Sequence, residues 1–349
     1  MKIINGQKRV GFAVLGLGIG MAHAEAISTS KDAYLVCGCD INEKRLSKFA
    51  EKYPDAYTTA SFDEVLTDGD VDVVSVCLPT YMHAEFACKA LRAGKHVLCE
   101  KPADINVSRA MAIKEAELES GKMAGFVFQN RYSYLMYPIF DAIRSGRLGR
   151  IYLGTFAVKW LRKQSYYDNN GGWRGTWDKD GGGSLMNQSI HTVDLMLQLM
   201  GSEVESVRSV GGVINHDIES EDMTASLITF KNGATATFVS TTCAYDGLST
   251  EIGIYGTDGS IEADADKLKR WRLRDDVDGI EEEELLELYG MGNIGAASAH
   301  PGVRVGHGYM IDDMASAVLN GSRPAIGIED AVKSIDLIEK IYKSMRESK

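Results

Sequence analysis

The 349-residue sequence has no Cys-x-x-Cys pair, no extended block of Lys and Arg, and no uninterrupted apolar window of the ~18 residues that a transmembrane helix needs. A zinc site of paired cysteines, a basic surface for nucleic acid and a membrane span are therefore not expected. The net charge of −11 argues further against nucleic acid as a partner. The cysteines mostly lie inside apolar runs, which indicates buried thiols in a reducing compartment: Cys37, Cys39, Cys77, Cys88, Cys99 and Cys243.

The N-terminus imitates a secretory signal in two respects. Basic residues between Lys2 and Arg9 precede an apolar run, and Ala-His-Ala at 22–24 has the form of a cleavage site. Three glycines interrupt that run, and a ligand-binding loop explains them better. We therefore expect a cytoplasmic protein, and we expect no metal site.

The first part of the chain alternates apolar runs with helical patterns. Strands are predicted at 10–15, 34–39, 71–78, 96–99 and 123–128, and helices at 84–93 and 107–119. Strands that are apolar on both faces are typical of a parallel sheet covered by helices on both sides. We predict a doubly wound α/β domain over residues 1–129, and the chain is long enough for a second domain.

From about Ile151 onward, the predicted strands come in succession. They are predicted at 151–160, 205–214, 223–230, 234–242, 251–255 and 260–263. Lys231-Asn232-Gly233 is a good hairpin turn, so we predict a second domain over 130–349 with a mainly antiparallel sheet and an amphipathic closing helix from Ile328. The charged stretch 264–287 is interpreted as a solvated surface excursion.

A glycine-rich loop follows the first strand and opens a helix. Gly16, Gly18 and Gly20 allow a dinucleotide pyrophosphate to approach the backbone at a helix N-terminus. The spacing departs from Gly-x-Gly-x-x-Gly, because Met21 stands at the third glycine position, and this predicts a tight loop. Asp40 ends the second strand, where a carboxylate accepts hydrogen bonds from the adenine ribose. We predict NAD, with NADP less favoured; a structural glycine turn and a helix-capping Asp are the alternative.

The segment Glu100-Lys101-Pro102 lies where a predicted strand ends. In an open parallel sheet, ligands bind beyond the carboxyl ends of the strands. A lysine placed there beside an acid can stabilise a substrate hydroxyl, or accept its proton, while hydride leaves the carbon. Lys101 is therefore a candidate catalytic residue.

A polar stripe interrupts a strongly apolar helical pattern after the glycines at 181–183. Asn187, His191 and Asp194 stand at i, i+4 and i+7, which predicts one shared helix face. One interpretation is a buried histidine satisfied by its neighbours. The other is an amide and an imidazole that face a cleft, with Asp194 steering the imidazole tautomer.

Aromatic and basic residues are concentrated between 162 and 183. Aromatic rings beside hydrogen-bond donors suit sugars, which have apolar C–H faces and polar rims. The same aromatics are equally typical of a subunit contact. The residues concerned are Arg162, Lys163, Tyr166, Tyr167, Trp173, Arg174 and Trp177.

Together these motifs resemble the glucose-fructose oxidoreductase, inositol dehydrogenase and rhizopine catabolism family, Gfo/Idh/MocA. The resemblance spans nearly the whole chain and rests on four segments in family order. They are the glycine loop with His23, the run 71–80 with His83, Ala93 to Pro102, and the Gly-Gly-Gly helix with His191 and Asp194.

The resemblance implies a Rossmann domain, a C-terminal α/β domain with a largely antiparallel open sheet, and a homodimer or homotetramer packed through that sheet. It also implies hydride transfer between a nicotinamide cofactor and a sugar, polyol or sugar derivative. Lys101 matches the lysine that orients substrate, and His191 matches the catalytic acid/base. Asn187 stands where many members have Asp, which puts a carboxylate-assisted proton relay in doubt.

The site residues predicted in this way form three sets. The catalytic set is Lys101 and His191. The cofactor-binding set is Gly16, Gly18, Ile19, Gly20, Met21, Asp40, Arg45, Leu78, Pro79, Thr80, His83, Glu100 and Lys101. The substrate-binding set is Lys101, Arg131, Trp160, Tyr166, Arg174, Asn187 and His191.

The sequence therefore predicts an NAD-dependent oxidoreductase that acts on a sugar, a cyclic polyol or a sugar derivative. Two rivals remain open. One is a redox-assisted elimination or hydrolysis that uses bound NAD without net turnover. The other is an NAD- and sugar-binding sensor that has kept the fold and lost the chemistry, against which the presence of both Lys101 and His191 argues.

Overall fold

The computed structural model describes residues 1–4, 6–169, 171–292 and 303–347. The chain divides into two compact units: Met1–Gln129 with Val305–Val332, and Asn130–Arg304 with Lys333–Lys349. The predicted second domain, 130–349, included residues 305–332, and the structure corrects this by placing them in the first unit. The cause is long-range packing, which local sequence patterns do not show.

The first unit up to Gln129 is built on alternating strands and helices. Its strands are β1 (Lys2–Ile4), β2 (Gln7–Leu15), β3 (Ala33–Cys39), β4 (Tyr57–Thr59), β5 (Val73–Val76), β6 (His96–Cys99) and β7 (Ala124–Phe126). Its helices are α1 (Gly20–Ser28), α2 (Glu43–Lys52), α3 (Phe62–Thr67), α4 (His83–Arg92) and α5 (Val107–Ser120), with a 3-10 turn at Thr80–Met82.

The sheet of this unit runs in the order β4-β3-β2-β5-β6-β7, with parallel pairing throughout, and β1 adds an antiparallel pair on β2. The chain builds outward from β2 through β3 and β4 and then crosses to β5 on the other side. This reversal creates a crevice at the carboxyl ends of β2 and β5, which is where open α/β sheets bind ligands. The central strand β5 is buried along its whole length, as the predicted two-sided covering requires.

The second unit contains most of the remaining elements. Its strands are β8 (Ile151–Lys159), β9 (Val204–Gly212), β10 (Met223–Phe230), β11 (Thr235–Thr241), β12 (Thr250–Gly256), β13 (Gly259–Asp264) and β14 (Lys267–Leu273). Its helices are α6 (Met136–Arg144), α7 (Gln164–Asp168), α8 (Ile190–Met200) and α9 (Ile280–Tyr289). A 3-10 turn at Gln129–Tyr132 begins at the last residue of the first unit, and a π-helical turn spans Ser184–Gln188.

The sheet of the second unit has the order β14-β13-β12-β8-β11-β10-β9 and is antiparallel except where β8 pairs with β11. One face is covered: Phe156, Phe230 and Phe238 are fully buried there, and Met200 of α8 lies against Gly154. The residues that alternate with them are partly exposed, so the sheet has one open face. The predicted fold class, a doubly wound parallel sheet followed by an α/β domain with a largely antiparallel sheet, is confirmed.

Two helices close the chain, α10 (His307–Asn320) and α11 (Ile328–Glu347). Within the first unit, Asp312 of α10 accepts a hydrogen bond from Ser30 at 2.6 Å, and the Phe126 amide of β7 donates to the Ile326 carbonyl at 3.0 Å. These contacts explain why residues 305–332 belong to the first unit.

The charged stretch 264–287 is more ordered than its interpretation as a surface excursion suggested. It forms β14 and α9, and the side chains of Leu268, Trp271 and Leu273 are buried while the basic residues between them face solvent. Two-residue alternation of this kind makes an edge strand. No helix in the described part of the chain is long and apolar enough to cross a membrane.

Candidate functional site

The glycine loop joins β2 to α1 in a tight turn. Gly16 has a φ of +91°, and a Cβ at this position would lie 2.5 Å from the carbonyl oxygen of Cys77. At Gly20, the first residue of α1, a Cβ would lie 2.6 Å from Val14. The extra glycine therefore stands where the helix packs on the strand, which explains its early position in the motif.

The start of α1 leaves hydrogen-bond donors available. The amide groups of Gly18 and Ile19 donate no hydrogen bond to any described residue, no side chain caps the helix, and its first turn carries no acid. A Cβ at Gly18 would meet nothing closer than Arg45 Nη1 at 3.9 Å. Free amides at an uncapped helix start bind anions, so this loop fits the pyrophosphate of a dinucleotide.

Asp40 is almost fully buried at the end of β3. Its Oδ2 accepts a hydrogen bond from the Leu17 amide at 2.8 Å and lies 3.3 Å from Arg45 Nη1, while Oδ1 accepts from the Asn42 amide at 2.9 Å. The N-cap of α2 is Asn42, so Asp40 is not the helix cap that the structural alternative required. Its Oδ1 keeps acceptor capacity for a ribose hydroxyl.

The segment after β5 carries four predicted cofactor residues, Leu78, Pro79, Thr80 and His83. His83 is buried, and its Nδ1 lies 2.6 Å from the carbonyl oxygen of Pro102 while its Nε2 lies 2.7 Å from that of Leu78. Both ring nitrogens therefore contact backbone carbonyl groups of the fold. His83 joins the loops after β5 and β6 and shapes this edge of the sheet through their backbones.

Glu100 is the centre of a buried hydrogen-bond network. Its Oε1 lies 2.9 Å from Nε2 of His23 and 3.4 Å from Nε2 of His307, and its Oε2 accepts from the Lys101 amide at 3.2 Å. His23 also lies 2.6 Å from Ser75 through Nδ1. Burial opposes ionisation, but hydrogen bonds from both histidines and the Lys101 charge hold the pKa of Glu100 well below its ordinary value. A fixed carboxylate thus anchors the loop that carries Lys101.

In the second unit, the π-helical turn 184–188 is held by a buried carboxyl group. Glu221 accepts hydrogen bonds from the Gly183 amide at 2.8 Å and the Leu185 amide at 2.6 Å. A Cβ at Gly183 would lie 1.9 Å from the Glu221 carbonyl oxygen. Only glycine permits this approach, and the glycines before the turn therefore serve backbone packing.

Asn187 lies on this turn and makes a set of side-chain contacts. Its Nδ2 donates to Asp180 at 2.5 Å, and its Oδ1 accepts from Tyr166 at 3.2 Å and Gln188 at 2.5 Å. Asp180 is buried and also accepts from the Gly175 amide at 2.9 Å. A carboxylate is thus present beside Asn187, supplied by a residue seven positions earlier in the chain.

His191 lies in the first turn of α8 and is half-buried. The helix on which Asn187, His191 and Asp194 were predicted to share one face is interrupted at Ser189, so that Asn187 lies in the π-helical turn and His191 and Asp194 lie in α8. Asp194 is buried and forms a two-pronged ion pair with Arg131, with N–O distances of 2.7 and 2.5 Å. Its steering of the His191 tautomer and the substrate role of Arg131 stay predictions.

The predicted sugar-binding aromatics separate into two groups. Tyr167 is buried and bonded to Thr242, and Trp177 packs edge-on against Tyr342. Tyr166 lies under two arginines: Arg162 and Arg174 have their guanidinium carbons 5.3 and 4.6 Å from its ring centre. Arg162 also stacks on Trp160 at 4.9 Å and Arg174 on Trp173 at 4.7 Å.

Among the residues that belong to these networks and were absent from the predicted site sets are His307, Asp180 and Glu221. Glu100 and His307 are 207 positions apart, and no local pattern links them. Asp180 precedes Asn187 by a loop, whose conformation the sequence does not show. Glu221 stands just before a predicted strand, and the sequence carries no signal that this acid is buried, which is unusual for Glu.

Two clusters in the described residues bring together three metal-ligating side chains each. They are His23, Glu100 and His307, and His216, Asp222 and Cys243. The ring nitrogens of His23 already have protein partners, and His216 bonds Asp222 at 2.9 Å and the Arg162 carbonyl at 2.8 Å. We therefore assign no metal to either cluster.

Comparison with known proteins decides the family. Residues 10–128 match the oxidoreductase family with an NAD-binding Rossmann fold, and residues 139–262 match the GFO/IDH/MocA C-terminal domain. The chain belongs to the Gfo/Idh/MocA family. The predictions of an NAD-dependent oxidoreductase and of NAD as cofactor are confirmed at this level, since members of the family are NAD(P)-dependent oxidoreductases.

Similar members of the Gfo/Idh/MocA family include two curated dehydrogenases and one solved complex. Myo-inositol 2-dehydrogenase of Thermotoga maritima is 28% identical over 72% of this chain and 74% of its own length. The scyllo-inositol 2-dehydrogenase (NAD(+)) of Bacillus subtilis is 28% identical over 73% and 74%. The WlbA dehydrogenase from Bordetella pertussis, solved with NADH and UDP-GlcNAcA, is 29% identical with a TM-score of 0.86, over 98% of this chain and 97% of that one.

Proposed function

We propose that this protein oxidises a ring hydroxyl of a sugar, cyclic polyol or sugar derivative to a ketone, with NAD as the acceptor. The observation that carries the proposal is the anchored loop of Lys101. Its neighbour Glu100 is held ionised by two histidines at the carboxyl end of β6, beside the crevice of a dinucleotide-binding sheet. A lysine held in this way can hold a substrate hydroxyl at a fixed position.

In the proposed reaction the substrate loses a hydride from carbon and a proton from oxygen. NAD, which the glycine loop and Asp40 would hold, would supply the hydride acceptor. The Lys101 ammonium group donates a hydrogen bond to the reacting oxygen and so favours loss of its proton. His191 accepts that proton, and Asn187 binds a neighbouring hydroxyl. The carbon and oxygen then share a double bond, which balances the step.

The choice of NAD over NADP is proposed from Asp40. Its carboxylate is fixed by the Leu17 and Asn42 amides, so it cannot turn away from an adenine ribose. A 2′-phosphate would meet this negative charge. Arg45 lies beside Asp40 and neutralises part of the charge, and for this reason we propose preference rather than exclusion.

The proposal also covers partners and compartment. All six cysteines are free thiols, which supports a reducing compartment and hence the cytoplasm. The net charge of −11 supports small-molecule substrates and no nucleic-acid partner. The open sheet face of the second unit supports assembly into a homodimer or homotetramer. The substrates of the relatives, inositols and the ligand UDP-GlcNAcA, define the chemical range to be searched.

A sugar and polyol panel with NAD tests the reaction, with NADH absorbance as the readout. The expected result is turnover of one substrate class, lowered by at least about a thousandfold in kcat by Lys101→Met or His191→Asn. Unchanged turnover in either variant would contradict the assigned role. A product formed without free NADH would indicate redox-assisted elimination, and NAD binding without any product would indicate a sensor.

A further inference from the structure

Arg162 and Arg174 of the second unit lie against aromatic rings. Arg162 and Arg174 form no ion pair with any described residue, although both are half-buried. Two other buried or partly buried arginines of this unit are paired, Arg131 with Asp194 and Arg147 with Asp275 and Glu281. A partly desolvated guanidinium group without an anion is unfavourable.

The hydrogen bonds of the two arginines leave donors unused. Arg162 donates from Nε to the neutral amide of Gln188 at 2.9 Å and from Nη1 to the Leu161 carbonyl at 3.2 Å. The Nε atom of Arg174 is buried and has no acceptor among the described residues. Each guanidinium offers five N–H donors, so most of their capacity is free for a ligand.

Asp180 is a negative charge close to Tyr166, the ring on which both arginines stack. Its carboxylate is buried and accepts hydrogen bonds from the Asn187 side-chain amide and the Gly175 backbone amide, and it forms no ion pair with either arginine. The aromatic rings of Tyr166, Trp160 and Trp173 hold the guanidinium planes in place, and a stacked arginine loses little freedom when it binds an anion.

The arginine pair is connected to the turn that precedes the proposed acid/base. Gln188 accepts from Arg162 and donates to Tyr166 at 2.6 Å, and two residues later α8 begins with Ile190 and His191. The arginine pair therefore adjoins the turn that leads to His191.

We propose that Arg162 and Arg174 form an anion subsite and that the substrate is a sugar or polyol with a carboxylate or a phosphate group. The subsite rests on the proposed function, because it deepens the substrate class of the same site. Planar guanidinium groups bind the two oxygens of such an anion in parallel, while the aromatic rings cover the apolar C–H face of the ring that carries it.

The test compares neutral and anionic substrates of matched structure. Glucose, glucuronate and glucose 6-phosphate are each supplied with NAD, and kcat and KM are measured for the wild type, Arg162→Gln and Arg174→Gln. Lys179→Gln is the control, because it removes another partly exposed positive charge from the same loop region. Melting temperatures of all four proteins show whether the variants are folded.

The expected result is a kcat/KM at least about tenfold higher for one anionic sugar than for glucose. Each arginine variant should lower it by about tenfold to a hundredfold, mainly through KM, and this loss should exceed the loss that the same variant shows on glucose. Preference for glucuronate would identify a carboxylate ligand, and preference for glucose 6-phosphate a phosphate ligand. Equal use of glucose and both anions, or equal losses on all three substrates in the variants, would overturn the proposal.

A binding experiment distinguishes failure of the proposed reaction from failure of the anion subsite. If no sugar is oxidised, glucuronate and inorganic phosphate are titrated against the NAD-loaded protein, with tryptophan fluorescence as the readout, because Trp160 and Trp173 lie under the arginines. Saturable quenching that Arg174→Gln abolishes and Lys179→Gln preserves would retain the anion subsite and reject the dehydrogenase. No saturable binding of either anion would overturn the subsite.

Discussion

A single buried carboxyl group, Glu221, controls the turn that leads to His191. It is 1% exposed, and burial raises its pKa to about 7 in spite of the hydrogen bonds it accepts from the Gly183 and Leu185 amides. The turn carries Asn187 into the site. The protonation state of Glu221 therefore changes within the pH range in which such an enzyme is assayed.

The first prediction concerns the pH dependence of stability. In the unfolded chain the pKa of Glu221 is near 4.5, and in the fold it is about 7. The folded state holds the proton more tightly, so its stabilisation is complete below about pH 4.5 and is lost as the pH rises through 7. This loss is on the order of 3 kcal/mol. Urea unfolding of the wild type and Glu221→Gln across this range measures it.

The test compares how the free energy of unfolding changes with pH in the two proteins. Its absolute value is not compared, because the Glu221→Gln variant also loses one of the two acceptor oxygens. The stability of the wild type relative to this variant should rise as the pH falls from 7 to 4.5. Parallel curves for the two proteins would show that Glu221 does not titrate in this range. Glu219→Gln, at an exposed neighbour, is the matched control and should leave the slope unchanged.

At the scale of the element, α8 is fastened to the 3-10 turn 129–132 by the Arg131–Asp194 ion pair. Both side chains are buried, and both carboxylate oxygens accept from the guanidinium group. Burial of such a pair costs desolvation free energy, and the attraction between the two charges offsets this cost only when both partners are present. Loss of one partner leaves an uncompensated charge inside the unit.

The second prediction follows from this asymmetry. Asp194→Ala should lower the free energy of unfolding by about 3–5 kcal/mol, because the Arg131 guanidinium stays buried and loses both charged hydrogen bonds to this carboxylate. The double variant Arg131→Met, Asp194→Leu should be less destabilised than the single one. Denaturant unfolding of the three proteins is the measurement. An equal loss of unfolding free energy in the single and double variants would mean that the destabilisation comes from packing and not from the unpaired charge.

At the scale of the whole molecule, one face of the second unit's sheet is exposed in the described residues. In the described residues, Val210 is 58% and Leu227 44% exposed, and they stand beside Ala225, Thr237 and Val239 on neighbouring strands. Apart from Arg208, which pairs with Leu227 across β9 and β10, these side chains are small or apolar, as is typical of a subunit interface. A second copy of the chain is the partner that the proposal assigns to it.

The third prediction is a change in assembly. Leu227→Asp places a charge at the centre of this face and should weaken association by about 2–4 kcal/mol, since a symmetric interface contains the substitution twice. Size-exclusion chromatography with light scattering measures the mass. Leu118→Asp on α5, where the leucine is 72% exposed, serves as the control. A monomeric wild type, or an unchanged mass for Leu227→Asp, would contradict the proposed assembly.

The sequence predicted the elements that depend on local pattern. The strand at His96–Cys99 and the helix from Val107 were predicted nearly to the residue, because apolar runs and a following glycine mark them. The strand β14 was not predicted, since the basic residues around Trp271 conceal its two-residue alternation. The π-helical turn was taken for part of a helix, because its residues follow the same apolar spacing as α8.

By itself the sequence determined the dinucleotide loop, the lysine after β6 and the order of the two sheets, because each depends on residues that are close in the chain. Only the tertiary structure decided what holds these groups. His307 reaches Glu100, Asp180 reaches Asn187, and Glu221 fastens the turn before His191. These contacts join separate segments, and the burial and hydrogen bonds that shift the pKa values of Glu100 and Glu221 exist only once those segments have packed.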